Sequence, residues 1–134
     1  MSATVTMQAV ESTYDSSVTE EKVLRAVQQI VQKARPLRIT AFGSRARGTH
    51  QRGSDLDLAV MIEDEATKAK ERAIYRSDVP LDMSVDMLVF GKTRHEFMKD
   101  SIISVHFDIA NEGVVLYDAG TGSIDRGAVA RIAR

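Results

Sequence analysis

The stretch from Ala41 to Val60 constrains the fold of this chain more than any other part of it. Gly43-Ser44 is followed, after ten intervening residues, by Asp55 and Asp57. Glycine tolerates tight turns in which backbone N–H groups approach an anion. Residues two apart on a strand point to the same face, so the two carboxylates are predicted to lie side by side. Since like charges repel, this pair favours a bound cation, and hard oxygen ligands suit Mg²⁺ beside substrate phosphates.

The segments around this stretch predict two strands. Leu37 to Phe42 is short and partly β-branched, which is typical of a strand that ends at the Gly-Ser turn. A helix can begin at that turn, with its positive dipole end toward a bound anion. From Asp55 to Ile62, polar and small residues alternate with Leu56, Leu58 and the apolar residues after them. The carboxylates therefore lie at the start of a strand, on the face opposite its apolar stripe.

Composition narrows the class of protein. A chain of 134 residues with a formal net charge of −1 predicts one domain without a general nucleic-acid-binding surface, so no direct nucleic-acid binding is expected. It has no cysteine, which excludes a disulfide framework and any thiolate metal site. No apolar run reaches the roughly 18 residues of a membrane span, and the first residues do not resemble a signal peptide. The expected location is the cytoplasm, with no membrane partner.

The expected organisation has three parts: a flexible N-terminal arm at 1–16, a domain at 17–118 and a loosely ordered tail at 119–134. In the domain, Ser17 and Glu20 form a capping box ahead of an amphipathic helix at 18–34 that ends before Pro36. Further along we predict a helix at 64–76, a strand at 84–90 and a short strand at 114–117. The tail is small and charged, with at most a helical turn at 127–133.

One long helix is predicted between the last two strands. It begins at Thr93, with Glu96 three residues on, and bends near Asp100-Ser101. Its apolar stripe carries Phe97, Ile102, Val105, Ile109 and Ala110 at roughly helical spacing. His95 and His106 are interpreted as residues of the helix surface or the edge of the core.

Asp86 is a third carboxylate of interest, because it lies within the apolar strand predicted at 84–90. Such an Asp is costly unless it is paired or binds a cation. It could face water at a strand end or pair with an arginine. With Asp55 and Asp57 in the same sheet it could instead complete a site for two Mg²⁺ ions, roughly 3.5–4 Å apart, on a triphosphate.

Arginines cluster between the Gly-Ser turn and the two carboxylates. Arg45, Arg47 and Arg52 are either solvated loop residues or donors of charge-assisted hydrogen bonds to triphosphate oxygens. His50 adjoins the same stretch and could touch a substrate. The chain lacks a Gly-Lys-Ser/Thr P-loop and a Gly-x-Gly-x-x-Gly fingerprint, and its serines have no evident His/Asp relay.

Together, Gly43-Ser44 and Asp55-Leu56-Asp57 resemble the signature of the polymerase-beta-type nucleotidyltransferase superfamily. The fuller string Phe-Gly-Ser-Arg-Ala-Arg-Gly…Ser-Asp-Leu-Asp-Leu is similar to its minimal nucleotidyltransferase (MNT) branch. The resemblance covers 37–90, and 112–117 resembles that branch's closing strand. It implies an α/β (α+β), palm-like fold, a small mixed sheet flanked by helices. It also implies Mg²⁺, with two ions, and ATP as substrate.

The resemblance implies that Asp55, Asp57 and Asp86 are the catalytic and metal-binding residues, and that Gly43 and Ser44 contact the triphosphate. We add Arg45, Arg47 and Ser54 to the nucleotide-binding set as candidates from the same stretch. Asp86 is the candidate that helps to deprotonate the acceptor. Asp82 competes with Asp86 for the third position, but the Val-Asp-Met-Leu context favours Asp86.

The resemblance also implies a partner. Larger relatives carry a helical domain, and MNT proteins pair with a separate helical HEPN toxin, some transferring AMP from ATP to a tyrosine of the toxin. A HEPN-like partner and a homo- or hetero-oligomer are therefore expected. Two alternatives stay open: a non-catalytic antitoxin that only binds its partner, and an antibiotic-type transferase that acts on a small molecule.

Overall fold

The computed structural model describes residues 17–51, 53–64, 69, 72, 74 and 83–134. Its elements, in chain order, are α1 Glu20–Ala34, β1 Arg38–Phe42, α2 Gly43–Arg47, β2 Leu56–Ile62, β3 Val85–Gly91, α3 Lys92–Met98, α4 Val105–Glu112, β4 Val114–Asp118, β5 Ser123–Ile124 and α5 Arg126–Ala133. Residues 69, 72 and 74 are helical, as predicted for 64–76. The rest of that helix after Asp64, and the predicted arm at 1–16, lie outside the described residues.

The strands form one mixed sheet in the order β3-β2-β1-β4-β5. Strand β1 pairs antiparallel with β2 and with β4, β2 pairs parallel with β3, and β4 pairs antiparallel with β5. Helices lie against both faces, so the predicted small mixed sheet flanked by helices is confirmed. Because β2 and β3 run parallel, the starts of both strands lie at the same edge of the sheet.

Helix α1 begins two residues later than predicted, at Glu20, and it has a different N-cap. Thr19, not Ser17, is the N-cap, and its hydroxyl accepts a hydrogen bond from the backbone N–H of Lys22 at 3.2 Å. This places two glutamates in the first turn, where the helix dipole favours negative charge. The helix ends as predicted before Pro36, with Arg35 in the left-handed region at φ 45°.

The sheet has two different buried faces. On the first, which we call the core face, α1 and α5 cover the alternating residues of β2, and Leu56, Leu58, Val60 and Ile62 are fully buried. The second, the site face, buries a smaller cluster of Ala59, Met61, Phe90 and Ile109. Asp57 shares this face with Ala59 and Met61, since residues two apart on a strand point the same way.

The prediction of one long helix from Thr93 is wrong, because the segment forms two helices and most of the predicted apolar stripe is exposed. Helix α3 ends at Met98, and α4 begins at Val105 after the N-cap Ser104. Phe97 is 83% exposed and Ile102 is 77% exposed, and of the predicted stripe Ile109 alone belongs to the buried cluster. Thr93 is also not a cap: its hydroxyl and N–H both donate to the Asp64 carboxylate.

A buried histidine pair joins α3 to α4. The Nδ1 atoms of His95 and His106 lie 3.0 Å apart, and both residues are 5% exposed. Both rings contact Phe90, one stacked at 5.3 Å between centroids and one edge-on at 4.6 Å. Burial lowers the pKa of both imidazoles; the Glu96 carboxylate opposes this at His95, while Arg38 and Lys99 at His95 and Arg94 at His106 add to it. These effects favour neutral rings, and neutral rings allow an Nδ1–H of one to donate to Nδ1 of the other.

The C-terminal segment is more ordered than the loose tail expected at 119–134. It contains β5 and then α5, whose N-cap Asp125 accepts a hydrogen bond from the N–H of Ala128 at 3.0 Å. Val129 is 1% exposed and Ile132 is fully buried, so α5 is part of the core. The helical turn predicted at 127–133 is confirmed and is longer. In the described part of the chain, no helix has the length and apolar character needed to cross a membrane.

Candidate functional site

The carboxylates gather where β2 and β3 begin. Asp57 is directly opposite Asp86 in the parallel register, on the site face of the sheet. Asp55 lies just before β2 and is exposed, whereas Asp57 is half-buried. Burial raises the pKa of Asp57, the charges of Asp86 and Asp55 raise it further, and Arg47 opposes the rise. The fold therefore holds Asp57 within electrostatic reach of both Asp55 and Asp86.

Gly43 passes directly against this cluster. Its φ is +75°, a left-handed value that suits glycine, and a Cβ built on it would collide with the Asp57 carboxylate. Helix α2 begins at this residue, and its N-cap Phe42 offers no side-chain hydrogen bond. The first N–H groups of α2, which include those of Gly43 and Ser44, are therefore not capped by a side chain. The turn at Gly43 lies beside β2 because Phe42, the last residue of β1, pairs with Asp57 of β2.

The two arginines of α2 have different environments. Arg45 is buried, and its Nε donates to the carbonyl of Ser54 while Nη1 donates to the carbonyl of Ile132, both at 3.1 Å. Burial lowers the pKa of Arg45, and the charge of Asp55 counteracts this. These bonds favour a structural role for Arg45 over the triphosphate contact predicted from the sequence. Arg47 is exposed and remains available to a ligand.

Glu112 is a residue of this region that the sequence analysis did not select. Its carboxylate accepts a hydrogen bond from Nη1 of Arg47 at 3.3 Å, with both side chains a little over two-fifths exposed. It ends α4, whose C-terminus lies at the same end of the sheet as the carboxylates. The only sequence signal was its place at the start of the string resembling the family's closing strand.

Ser54 shapes the turn that leads into Asp55. Its hydroxyl accepts a hydrogen bond from the N–H of Gln51, and its own N–H donates to the carbonyl of Gln51, both at 3.0 Å. The hydroxyl is thus engaged within the loop rather than displayed for a nucleotide. Arg52 and Asp82, which were also weighed from the sequence, lie outside the described residues.

The donor set fits Mg²⁺ in chemistry and in charge. Asp55, Asp57 and Asp86 offer hard oxygen ligands, and the pKa of Asp57 is raised first by burial and then by the charges of Asp86 and Asp55, which a bound cation would offset. As the side chains stand, no three His, Cys, Asp or Glu of the described ranges are grouped closely enough to hold a metal ion. Binding would therefore require rotation of the exposed Asp55 and Asp86 side chains toward Asp57.

A family model described as "Nucleotidyltransferase domain" matches residues 20–112, which is more than half of the chain. No curated protein sequence matches the chain.

Two solved structures are similar. The first is a Sulfolobus solfataricus protein described as a candidate nucleotidyltransferase, 19% identical, with a TM-score of 0.53 over 79% of this chain and 86% of that one. The second is a toxin–antitoxin structure with AMP-PNP, 20% identical, with a TM-score of 0.44 over 85% and 82% of the two chains. At these identities the first likeness speaks for the fold alone.

Proposed function

Because the chain belongs to the nucleotidyltransferase domain family, we propose that it transfers AMP from ATP to a hydroxyl group of a partner protein, with Mg²⁺. The observation that carries the proposal is the pairing of Asp57 with Asp86 across β2 and β3, beside the backbone of Gly43. A carboxylate cluster next to uncapped helix N–H groups suits a metal-bound triphosphate.

In the proposed reaction the acceptor hydroxyl attacks the α-phosphorus of ATP in line. A new P–O bond forms to the acceptor, the bond between the α-phosphorus and the bridging oxygen breaks, and pyrophosphate leaves. Magnesium held by Asp55, Asp57 and Asp86 would neutralise the phosphates and stabilise the attacking and leaving oxygens. The hydroxyl proton passes to a carboxylate, and Asp86 is the candidate because it is exposed at the edge of the sheet.

Backbone and arginine groups would hold the triphosphate. The N–H groups of Gly43 and Ser44 begin α2 and suit the phosphate oxygens. Arg47 can exchange its exposed ion pair with Glu112 for a phosphate, because a pair so exposed to water contributes little to stability. Arg45 and Ser54 would shape the loop around the nucleotide rather than contact the nucleotide itself.

The proposed acceptor is a tyrosine of a helical HEPN-like toxin, which would make this protein an antitoxin. This finer assignment is supported by the MNT-like string from Phe42 to Leu58, and it is an inference by analogy. Two alternatives predict different outcomes in the same experiment: neutralisation of a toxin by binding alone, and transfer to a small hydroxylated molecule.

The experiment compares ATP labelled at the α- or the γ-phosphate, incubated with the protein, Mg²⁺ and the product of the adjacent gene. Label from the α-position alone should appear on the acceptor, and EDTA should abolish it. Asp57→Asn should reduce transfer at least about 100-fold, because even supporting residues of a metal site cost 10–100-fold. Absence of transfer by the wild-type protein to the partner and to small hydroxylated acceptors would refute the proposal.

The same variant supplies its own control for folding. The pKa of Asp57 is raised in the folded state, so its ionised form is disfavoured by folding. The protonated carboxyl therefore contributes stability below the unfolded pKa, and this contribution is lost as pH rises through the folded pKa. Asp57→Asn should melt at the same or a higher temperature than the wild type while losing transfer. A variant that still neutralises the toxin in cells without transfer would favour the binding-only alternative.

A further inference from the structure

Arg45 is a buried charge that the proposed chemistry does not use. It is 6% exposed, whereas Arg47, two residues along the same helix, is exposed. A guanidinium removed from water is strongly disfavoured unless its hydrogen bonds are replaced by the protein. The groups that replace them therefore indicate what this residue is for.

One of these groups is the C-terminus of α5. Nη1 of Arg45 donates to the carbonyl of Ile132 at 3.1 Å, one residue before the helix ends at Ala133. Carbonyls in the last turn of a helix have no N–H partner within the helix, and a cation there is favoured by the helix dipole. Arg45 thus caps a helix that begins 81 residues later in the chain, at Arg126.

The other group is the backbone next to the carboxylates. Nε of Arg45 donates to the carbonyl of Ser54 at 3.1 Å, and Ser54 directly precedes Asp55. The charge of Asp55 also acts on Arg45 and favours its ionised form. A single planar guanidinium therefore links the loop that carries Asp55 to the end of α5.

We infer that Arg45 is a positioning residue, which fixes the backbone before Asp55 onto helix α5 and so makes α5 part of the site. The inference rests on the proposed function, since it assigns Arg45 an effect on the site's geometry rather than on the nucleotide. Lysine could supply the charge but not the two fixed donors, because its ammonium is a single point without the planar fork. A second contact, from Nη2 of Arg131 to the carbonyl of Ala46 at 3.5 Å, joins the same two helices.

The first test needs no activity. Amide hydrogen exchange is compared between the wild type and Arg45→Met, with Leu56 reporting on the loop and Val129 on α5, because both amides are hydrogen-bonded. Both should exchange at least about tenfold faster, which corresponds to about 1.4 kcal/mol, because hydrogen bonds from a charged group are among the stronger ones in proteins. Exchange that changes at α5 alone, or at neither amide, would overturn the inference.

Two control variants separate coupling from general loosening. Arg131→Met removes the other contact between the helices and should speed exchange at Val129 but not at Leu56. Val27→Ala lowers stability from the fully buried side of α1 and should change both amides only as far as global unfolding does. If Val27→Ala reproduces the Arg45→Met pattern at equal stability, the effect is not a coupling and the inference fails.

The second test uses transfer of α-labelled AMP by the full chain. Arg45→Lys should lower kcat by about tenfold or more, with little change in KM for ATP, because the charge remains while the backbone position is lost. An equal rise in KM would instead place Arg45 on the triphosphate and overturn the inference. If the wild type shows no transfer, the proposed function fails, while the exchange measurements still decide whether Arg45 links the loop to α5.

Discussion

The two faces of the sheet bury different kinds of side chain, although the same strands form both faces. On the core face every second residue of β2 is fully buried among the apolar side chains of α1 and α5. On the site face the buried cluster is small, and beside it lie a histidine pair and the carboxylates. Strand β2 contributes to both faces, because its side chains alternate between them.

The core face contributes most of the apolar burial that stabilises the fold, whereas the site face carries the residues of the proposed reaction. Apolar burial on the core face contributes free energy without specifying any ligand. On the site face, Asp57 is half-buried beside two other carboxylates, which is unfavourable without a cation. The core face thus supports a destabilised cluster on the opposite side of the same strand.

Leu58→Ala tests the core face and should have the largest effect. Leu58 is fully buried, and its truncation leaves a cavity, so the free energy of unfolding should fall by about 3–4 kcal/mol. Met61→Ala, on the site face of the same strand, should lose about half as much, because the cluster is smaller and methionine packs flexibly. Urea denaturation measures both, and equal losses would break the distinction between the faces.

Gly43→Ala tests the site face. Its new Cβ would collide with the Asp57 carboxylate and displace it, and a misplacement of about 1 Å can cost roughly 100-fold in rate. The matched control is Gly48→Ala, at the same φ of +75° but with open space around the added atom. The control should lose about 1–2 kcal/mol of stability through backbone strain and keep transfer. Equal loss of transfer in both variants would attribute the effect to strain.

The sequence predicted the centre of the molecule well because two independent signals coincided there. Strand β2 combined a strict alternation with turn residues on one side, and both follow from local geometry. The parallel pairing that brings Asp86 opposite Asp57 could be suggested only by the resemblance, since register is a tertiary property. The buried hydrogen bonds of Arg45 could not be predicted, because their carbonyl acceptors are distant in sequence or belong to backbone without a sequence signature.

The sequence failed where hydrophobic spacing was taken as evidence of burial. The stripe from Phe97 to Ala110 matched a helix, but Ser104 caps a new helix and breaks the phase of the stripe. The segment after Asp118 was rich in glycine and charge, and its two buried residues Val129 and Ile132 were too few to predict packing. In both regions a contact between distant elements overrode the local pattern.

We expect the free energy of unfolding to depend on pH through the histidine pair, which lies on the site face. Burial lowers the pKa of His95 and His106 below its ordinary value of 6.5, so folding favours the neutral rings. The neutral rings stabilise the folded protein above the unfolded pKa, and this stabilisation is lost as pH falls from 6.5 through the folded pKa. The charged groups nearby are Glu96, Arg38, Lys99 and Arg94.

Unfolding free energies between pH 7.5 and 5.5 measure this loss, which should be smaller than that of Leu58→Ala. A double variant with asparagine at positions 95 and 106 should lose the pH dependence, whereas His50→Asn, at the third histidine of the chain, should retain it. If His50→Asn removes the dependence instead, the buried pair is not its source.

The exposed apolar residues of α3 and of the segment that joins it to α4 should give the smallest effect. Phe97 and Ile103 are 83% and 93% exposed, so replacing either by alanine removes little buried surface. Each change should alter the free energy of unfolding by no more than about 0.5 kcal/mol, as is usual for surface substitutions. Phe90→Ala, in the buried cluster that contacts both histidines, is the contrast and should lose several times more than Phe97→Ala, but less than Leu58→Ala because its cluster is smaller. A loss at Phe97 comparable to that at Phe90 would mean that the helical stripe is buried in solution, as the sequence predicted, and that the site face carries more of the stability than its small cluster indicates.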